Sequence, residues 1–371
     1  MIDLLIKNGR TVDGEQIELA IHAGKIIEVG PQLAGYEAEK TLTLDDTDRI
    51  SAGWIDDHVH CFEKMDLYYD YPDKVGVETG VTSVVDAGTT GASNIGTFYE
   101  LAQAAKTNVY ALLNISKWGI VEQDELADLT KIDPALIDEA IARYPDFIVG
   151  LKARMSNTVI GDNGITPLRM AKAIQQSHPN LPLMVHIGSA PPLLDEILDQ
   201  LTAGDIVTHI FNGKENGILD QQALVIKDFI EPAHQKGLLF DVGHGTASFN
   251  FTVAEAALRE GMVADMISTD IYSRNRIDGP VYDFATTLEK MHVVGYSWTE
   301  IIEKVTEAPA QAFGLTTKGK LAADYDADLT IFKIEVGEKT LTDSNGNQRL
   351  ATETIRPLTT IIGGTIYDIN L

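Results

Sequence analysis

A chain of 371 residues with 44% hydrophobic and 23% charged content has a soluble globular composition and length enough for one large domain plus a smaller one. Its formal net charge of −26 argues against nucleic acid and anionic membrane as partners, which call for basic surface. A single cysteine, Cys61, excludes an intrachain disulfide and suits a reducing compartment. No apolar run reaches about 18 residues and Met1–Gly9 lacks a basic, apolar leader, so the expectation is a cytoplasmic protein acting on a small molecule.

Residues 1–50 read as short strands. Leu4–Gly9 runs into a turn, Ile17–His22 meets Lys25–Val29 across Ala23-Gly24, and Thr41–Leu44 alternates polar and apolar residues as a half-buried strand does. From Gly53 the pattern changes to apolar runs separated by helix-like stretches. The runs are Gly53–His60, Thr82–Gly88, Val109–Ser116, Ile148–Arg154, Leu183–Gly188, Ile206–Asn212, Leu238–Gly245 and Met266–Tyr272. Helices are expected at Asn94–Lys106, Asp133–Arg143, Pro167–His178, Leu193–Leu201, Gln221–Gln235, Val253–Glu260, Asp283–His292 and Thr299–Glu307. Strand and helix alternating in this way over about 260 residues predict an α/β fold, a (β/α)8 TIM barrel spanning 51–317. A doubly wound open sheet would not bring the first and last strands together. Beyond the barrel, Ile355–Ile369 returns to strand-like alternation around Gly363-Gly364. Segments 1–50 and 318–371 are expected to form one small β-sandwich domain built from both chain ends.

Several runs end in a residue able to bind a metal. His58 and His60 are two apart, and on a strand such positions face the same side. Lys152 lies near the end of the fourth run, His186 of the fifth, His209 of the sixth and Asp270 of the eighth. The C-terminal ends of parallel barrel strands converge on one mouth, so these residues form one candidate site. Either His186 or His209 alone reads equally well as a hydrogen-bonded core histidine; on consecutive strands at one height, they point to a second ion. Lys152 interrupts an apolar run, where a lysine is costly to bury unless paired or modified. An ammonium has no acceptor for a metal, but a carbamate formed with CO2 has two oxygens that can bridge two cations. A salt bridge from Lys152 to Asp270 or Asp86 is the competing reading. Asp270 can ligate a metal and take a proton from the water between two ions.

The stretches Asp56-Asp-His-Val-His60, Gly150-Leu-Lys152, His186, His209 and Thr269-Asp270 resemble the binuclear metal branch of the amidohydrolase superfamily. The entry Leu4–Val12 and the exit Gly319-Lys-Leu with Ala327–Ile331 extend the resemblance over essentially the whole chain. It implies two Zn2+ or similar divalent ions, with His58, His60 and Asp270 on one, His186 and His209 on the other, and N6-carboxylated Lys152 between them. Within that branch the chain is most similar to the dihydroorotase-like amidohydrolase/deacetylase group, through Lys152–Asn157, His186–Pro192 and Gly243-His-Gly245. The resemblance implies cleavage of a small acyl (acetyl) ester or amide by a metal-bridging hydroxide. The alternatives are a dihydroorotase- or hydantoinase-like cyclic-amide hydrolase and an adenine deaminase. Dihydroorotases of the branch carry an arginine two positions after the second histidine, where this chain has Phe62; hydantoinases carry a tyrosine after the third strand, where it has Ser116-Lys-Trp-Gly119.

The loops after the strands supply the candidate substrate contacts. His244 could reach a substrate carbonyl or shape the Gly-His-Gly turn. Arg274 or Arg276 could hold a carboxylate bidentately, or stand solvated on their loop. Arg154 and Asn157 follow Lys152 towards the same mouth. Cys61 is expected to point away from the metals by strand alternation, and Tyr68-Tyr-Asp-Tyr71 is an aromatic candidate for a lid. The sequence leaves assembly into a homo-oligomer open.

Overall fold

The structure, a computed structural model, describes residues 1–369. Strands β1 (Ile2–Arg10), β2 (Gln16–His22), β3 (Lys25–Gly30) and β4 (Ala38–Thr43) form a sheet in the order β3-β2-β1-β4. The β2–β3 hairpin turns on Ala23 and Gly24, at φ 51° and 76°, the left-handed pair that matches strand twist in a two-residue turn. Strand β5 (Arg49–Ala52) leaves this sheet and pairs instead with a strand near the C-terminus.

Next come β6 (Trp54–Val59), β7 (Val81–Asp86), β8 (Asn108–Asn114), β9 (Ile148–Met155), β10 (Leu183–Ile187) and β11 (Ile206–Thr208). A two-residue-strand hairpin, β12 (Leu219–Asp220) and β13 (Val225–Ile226), precedes β14 (Leu239–Asp241). Seven of these build one sheet in the order β14-β11-β10-β9-β8-β7-β6, with every pairing parallel. Every residue of β6, β7 and β9 is buried, the signature of a parallel sheet covered on both faces. Helices such as Ile95–Ala104, Pro134–Arg143, Thr166–Ser177 and Leu194–Gln200 connect the strands. The sheet therefore curls, and Met266 and Ile271 form parallel bridges to Asp241 and Val59, one at each of its edges.

Three expected elements differ. Gln221–Gln235 is not one helix: its first part is the β12–β13 hairpin and only Ile230–Gln235 is helical. Asp220 Oδ1 accepts from the backbone N–H of Gln222 and Ala223 at 2.8 and 2.9 Å, an Asx turn that competes with helix. Met266–Tyr272 forms bridges rather than a regular strand, because Asp270 takes φ 50°. Likewise β11 stops at Thr208 because His209 takes φ 69°. Both breaks fall on candidate site residues, where strained backbone is commonly stored.

The chain ends in β15 (Leu329–Thr342), β16 (Gln348–Ile362) and β17 (Thr365–Asp368), which join β5 in the antiparallel order β17-β16-β15-β5. Leu4, Ile6, Leu19 and Ile21 of the first sheet meet Ile50, Leu329, Ile331 and Ile361 of this one in a single buried cluster. Residues 370–371 of the segment expected at 318–371 lie outside the described residues. The long β15–β16 hairpin reaches the mouth of the parallel sheet. Ser344 N–H donates to Phe249 O at 3.0 Å, Ser344 Oγ to Gly245 O at 3.0 Å, and Phe251 N–H to Asp343 Oδ2 at 3.0 Å.

Candidate metal centre

The C-terminal end of the parallel sheet opens into a cavity of about 200 Å³ whose lining includes His58, His60, Lys152, His186 and Asp270. His58 is the penultimate residue of β6 and His60 directly follows the strand; their rings meet edge to face at 5.7 Å. The register pairs His186 of β10 with Thr208 of β11, so His209, one residue on, stands beside His186 with ring centroids 4.5 Å apart. His58, His209 and Asp270 each present a donor atom within 4.8 Å of one another. Asp270 Oδ1 lies 3.1 Å from His60 Nε2 and 3.4 Å from His58 Nε2.

The imidazoles are turned inward by partners on their other nitrogens. Thr208 Oγ1 donates its one proton to Asp241 Oδ2 at 2.6 Å, so it accepts from His58 Nδ1 at 2.8 Å. Thr89 Oγ1 repeats the arrangement, donating to Asp86 Oδ2 at 2.8 Å and accepting from His60 Nδ1 at 2.7 Å. His209 Nδ1 donates to the carbonyl of Gly243 at 2.6 Å. Each contact fixes the tautomer and leaves the Nε2 lone pair facing the cavity, the orientation that a metal requires.

Electrostatics favours the same state. Burial, with the neighbouring positive groups, holds His58 and His186 well below the ordinary histidine value. Burial likewise draws His209 down to about 4. These rings are neutral near pH 7, as ligands must be. Burial pushes the Asp270 carboxyl up, but its polar surroundings, with His60, His209 and Lys152 beside it, outweigh this, and it ends below its usual value. It is ionised at neutral pH and faces the cavity with 18% of its side chain exposed.

Lys152 is 1% exposed on β9, its Nζ 3.3 Å from His58 Nε2 and 3.1 Å from Met184 Sδ. Neither Asp270 nor Asp86 bridges it among the described residues, so the salt-bridge reading finds no partner in the ion pairs. Burial pulls its pKa down to about 7, so the site favours the uncharged amine more than water does. Gly88, at φ 81°, makes room: a Cβ there would stand 2.6 Å from Lys152 Cβ.

The predicted substrate contacts fare differently. Arg154 lines the cavity, but its Nε and Nη2 clasp the buried Glu125 at 2.7 Å each. Asn157 is exposed and outside the lining. His244 is buried and turned away, its Nδ1 donating to Gly245 O at 2.9 Å and its Nε2 accepting from Lys290 Nζ at 2.9 Å. Gly243 and Gly245 on either side of it take φ 46° and 55°. Arg276 is held by the buried Asp70 at 2.7 Å, and Arg274 is exposed outside the lining. Cys61 and Phe62 are buried in the main apolar cluster, Phe62 against Phe98 at 5.4 Å. Tyr68 does border the site, its ring 5.6 Å from that of His60.

Sequence reasoning missed Lys214, Tyr272, Thr208, Thr89, Asp241 and Glu125. Thr208 carries one local signal, as the polar neighbour of His209 in an otherwise apolar run; the others are recognised only through contacts across strands and loops.

Comparison with known proteins completes the description. Residues 321–368 match a family model for a deacetylase-like composite domain. A deacetylase of Enterococcus faecalis is 66% identical over 366 residues, 99% of each chain. The crystal structure of an adenine deaminase superimposes with TM-score 0.98 at 66% identity, covering 99% of this chain and 100% of the other. The crystal structure of a dihydroorotase gives TM-score 0.89 at 34% identity, covering 98% and 97%.

Proposed function

The chain belongs to the deacetylase family, hydrolases of the amidohydrolase fold, and from that premise we propose that it cleaves a small acyl (acetyl) ester or amide with a pair of divalent ions. One observation carries the reading: four histidines, an ionised Asp270 and a buried Lys152 converge at one end of the parallel sheet, with three of the four imidazoles oriented by partners behind them. His58, His60 and Asp270 would hold one ion, His186 and His209 the other, and carboxylated Lys152 would bridge, with zinc the first choice for such N/O donors. The bridges from Met266 and Ile271 to both sheet edges support reading 266–271 as the eighth strand of a (β/α)8 barrel spanning 51–317. The two smaller sheets then form the accompanying β-sandwich domain.

Bound ions supply Lewis-acid polarisation of the acyl carbonyl and an acidified attacking water. Asp270 accepts the proton that this water loses and returns it to the departing alkoxide or amine, so ester or amide plus water gives acid plus alcohol or amine. Thr208 and Thr89 hold the imidazoles in register while the reaction proceeds. Because Thr208→Val keeps the shape and removes the hydroxyl, it should weaken metal retention about 10–100-fold, the usual cost of losing such a partner. Chelator competition measures this; an unchanged metal affinity would remove the threonine from the assignment.

The cavity, at about 200 Å³, is smaller than the roughly 300–1,000 Å³ of drug-sized sites, which supports a small substrate. The test is a panel of N-acyl amino acids and acetylated hydroxy acids of both hands, scored for acetate and ammonia. Acetate supports the proposal; ammonia from adenine, with no acetate from any acyl compound, supports the deaminase. Active protein with fewer than about one metal per chain would sink the two-ion mechanism. Dihydroorotate should turn over poorly, below about 10⁴ M⁻¹s⁻¹ in kcat/KM. Phe62 is packed in the core where the dihydroorotase arginine would be, and an ungripped carboxylate costs several kcal/mol. Efficient dihydroorotate hydrolysis would overturn this reading of position 62.

A further inference from the structure

We propose that Lys290, which does not line the cavity, is a positioning residue for the candidate metal centre: through His244 it fixes the turn that orients His209 and stands behind Asp270. The inference rests on the two-ion hydrolase reading and gives a role to a residue that this reading does not use.

Among the described residues two lysines are buried, Lys152 and Lys290, each 1% exposed. Lys290 sits on the helix Phe284–Val294. Its Nζ donates to His244 Nε2 at 2.9 Å and to Pro280 O at 2.6 Å. Asp343, Asp283 and Glu289 act on it only from a distance, each engaged elsewhere. Glu289 holds Lys339 at 2.6 Å. Asp283 caps the helix, accepting from Thr286 N–H at 2.6 Å. Asp343 accepts from the amides of Phe251, Asn345 and Asn347. A buried amine is costly where an apolar side chain would fill the same space. What Lys290 gains there is a bond to each of two loops, the one after β14 and the one after Asp270.

His244 carries the first of these bonds to the metal centre. Its ring stacks on Phe249 with centroids 4.7 Å apart and donates from Nδ1 to Gly245 O at 2.9 Å. In that tautomer Nε2 is an acceptor, and Lys290 fills it. The backbone on either side touches two candidate ligands. Gly243 O accepts from His209 Nδ1 at 2.6 Å, the contact that turns Nε2 of His209 towards an ion. Gly245 lies so close to Asp270 that a Cβ there would stand 2.4 Å from Oδ2. The amides of His244 and Gly245 sew the turn to Ser268 O and Thr269 O at 3.1 and 2.9 Å. Glycine has no side chain with which to hold a conformation. His244 is therefore the only handle on the turn, and Lys290 grips it from behind.

The test uses the full-length protein and its Lys290→Met, Lys290→Gln and His244→Phe variants, with the Lys290→Met/His244→Phe double. Methionine keeps the stem and drops the donors; phenylalanine keeps the stacked ring and drops its nitrogens. Chelator competition with zinc should show Lys290→Met weaker in metal affinity by about 10-fold, the lower end of the loss when a partner behind a ligand is removed. His244→Phe should lose a similar amount. The double variant should lose no more than the worse single, as two residues acting through one contact do. Lys290→Gln, with two N–H donors on a shorter stem, should recover part of the loss. A lower melting temperature with unchanged metal affinity in Lys290→Met would make the lysine a structural pin and overturn the proposal, as would additive losses in the double. Ring-nitrogen NMR of the metal-free protein, with isotope-labelled histidine, gives a readout independent of the ion. His209 should carry its proton on Nδ1 in wild type and partly on Nε2 in Lys290→Met; an unchanged tautomer overturns the role of Lys290. A wild type that binds no zinc refutes the two-ion reading instead, while the tautomer comparison still decides whether Lys290 orients His209. Should Lys290→Met fail to fold, Lys290→Gln and His244→Phe carry the same comparisons.

Discussion

Lys152→Ala is expected to lower kcat/KM by about 10³-fold or more, the equivalent of the several kcal/mol that metal-ion catalysis contributes, and to leave the protein short of its metal complement. The reason lies in how the side chain is buried. A lysine at 1% exposure with no ion-pair partner among the described residues is an expensive feature unless it stops being an ammonium. Under the proposed reading its amine, drawn down to about 7 by burial, would add CO2 and release a proton to become a carbamate anion. That anion would stand against His58, 3.3 Å from the present Nζ, and give two ions a shared oxygen donor. Alanine cannot be carboxylated, so raising bicarbonate should restore nothing. Since truncation also leaves a cavity, Lys152→Met serves as a volume-matched companion. Both variants should remain folded by circular dichroism and lose metal by emission spectrometry. Full activity and full metal content in either would contradict the carbamate.

Asp270→Asn separates metal binding from proton transfer. Asparagine keeps a carbonyl oxygen for the ion and has no basic group, so kcat should fall by about 10²–10⁴-fold while part of the metal is retained. The substitution is well tolerated by the backbone, since asparagine is one of the few residues that adopts the left-handed φ of 50° found there without a large penalty. The surrounding bonds also persist: the Asp270 N–H donates to His58 O at 2.6 Å, and Asn275 Nδ2 donates to Asp270 O at 2.9 Å. A drop in kcat with little change in KM is the expected signature of an interaction made in the transition state. Wild-type turnover by Asp270→Asn would remove the residue from the mechanism.

Much of this was legible in the chain because strands have a period of two and lysine is rarely buried. His58 and His60 share a face by that period, even though the register of β6 slips between Asp56 and Val59. Lys152 declared itself as a charge inside an apolar run. What could not be read were the partners that arrive from elsewhere. Thr208 is 150 residues from His58, and Asp70 is 206 residues from Arg276; no local pattern links either pair. The loop arginines were the natural guess for an anion receptor, yet one is spent on Asp70 and the other faces solvent, while an ordinary-looking lysine in Asn212-Gly-Lys214 lines the cavity. Apolar runs also overstated strand length. Ile206–Asn212 and Met266–Tyr272 look continuous in sequence, but positive φ at His209 and Asp270 bends each chain where its side chain must turn inward.

The hairpin that reaches across to the mouth sets an order in time. The amides of Phe249 and Phe251 find their acceptors on Ser344 and Asp343, 95 and 92 residues later, and the loop between Gly245 and Asn250 contributes Thr246, Ala247 and Ser248 to the cavity wall. During synthesis that wall emerges long before the residues that hold it, and closing so long a loop is slow relative to local pairing. A nascent chain can therefore have all six candidate ligands in hand and still have an unfinished entrance, completed only when the last strands leave the ribosome.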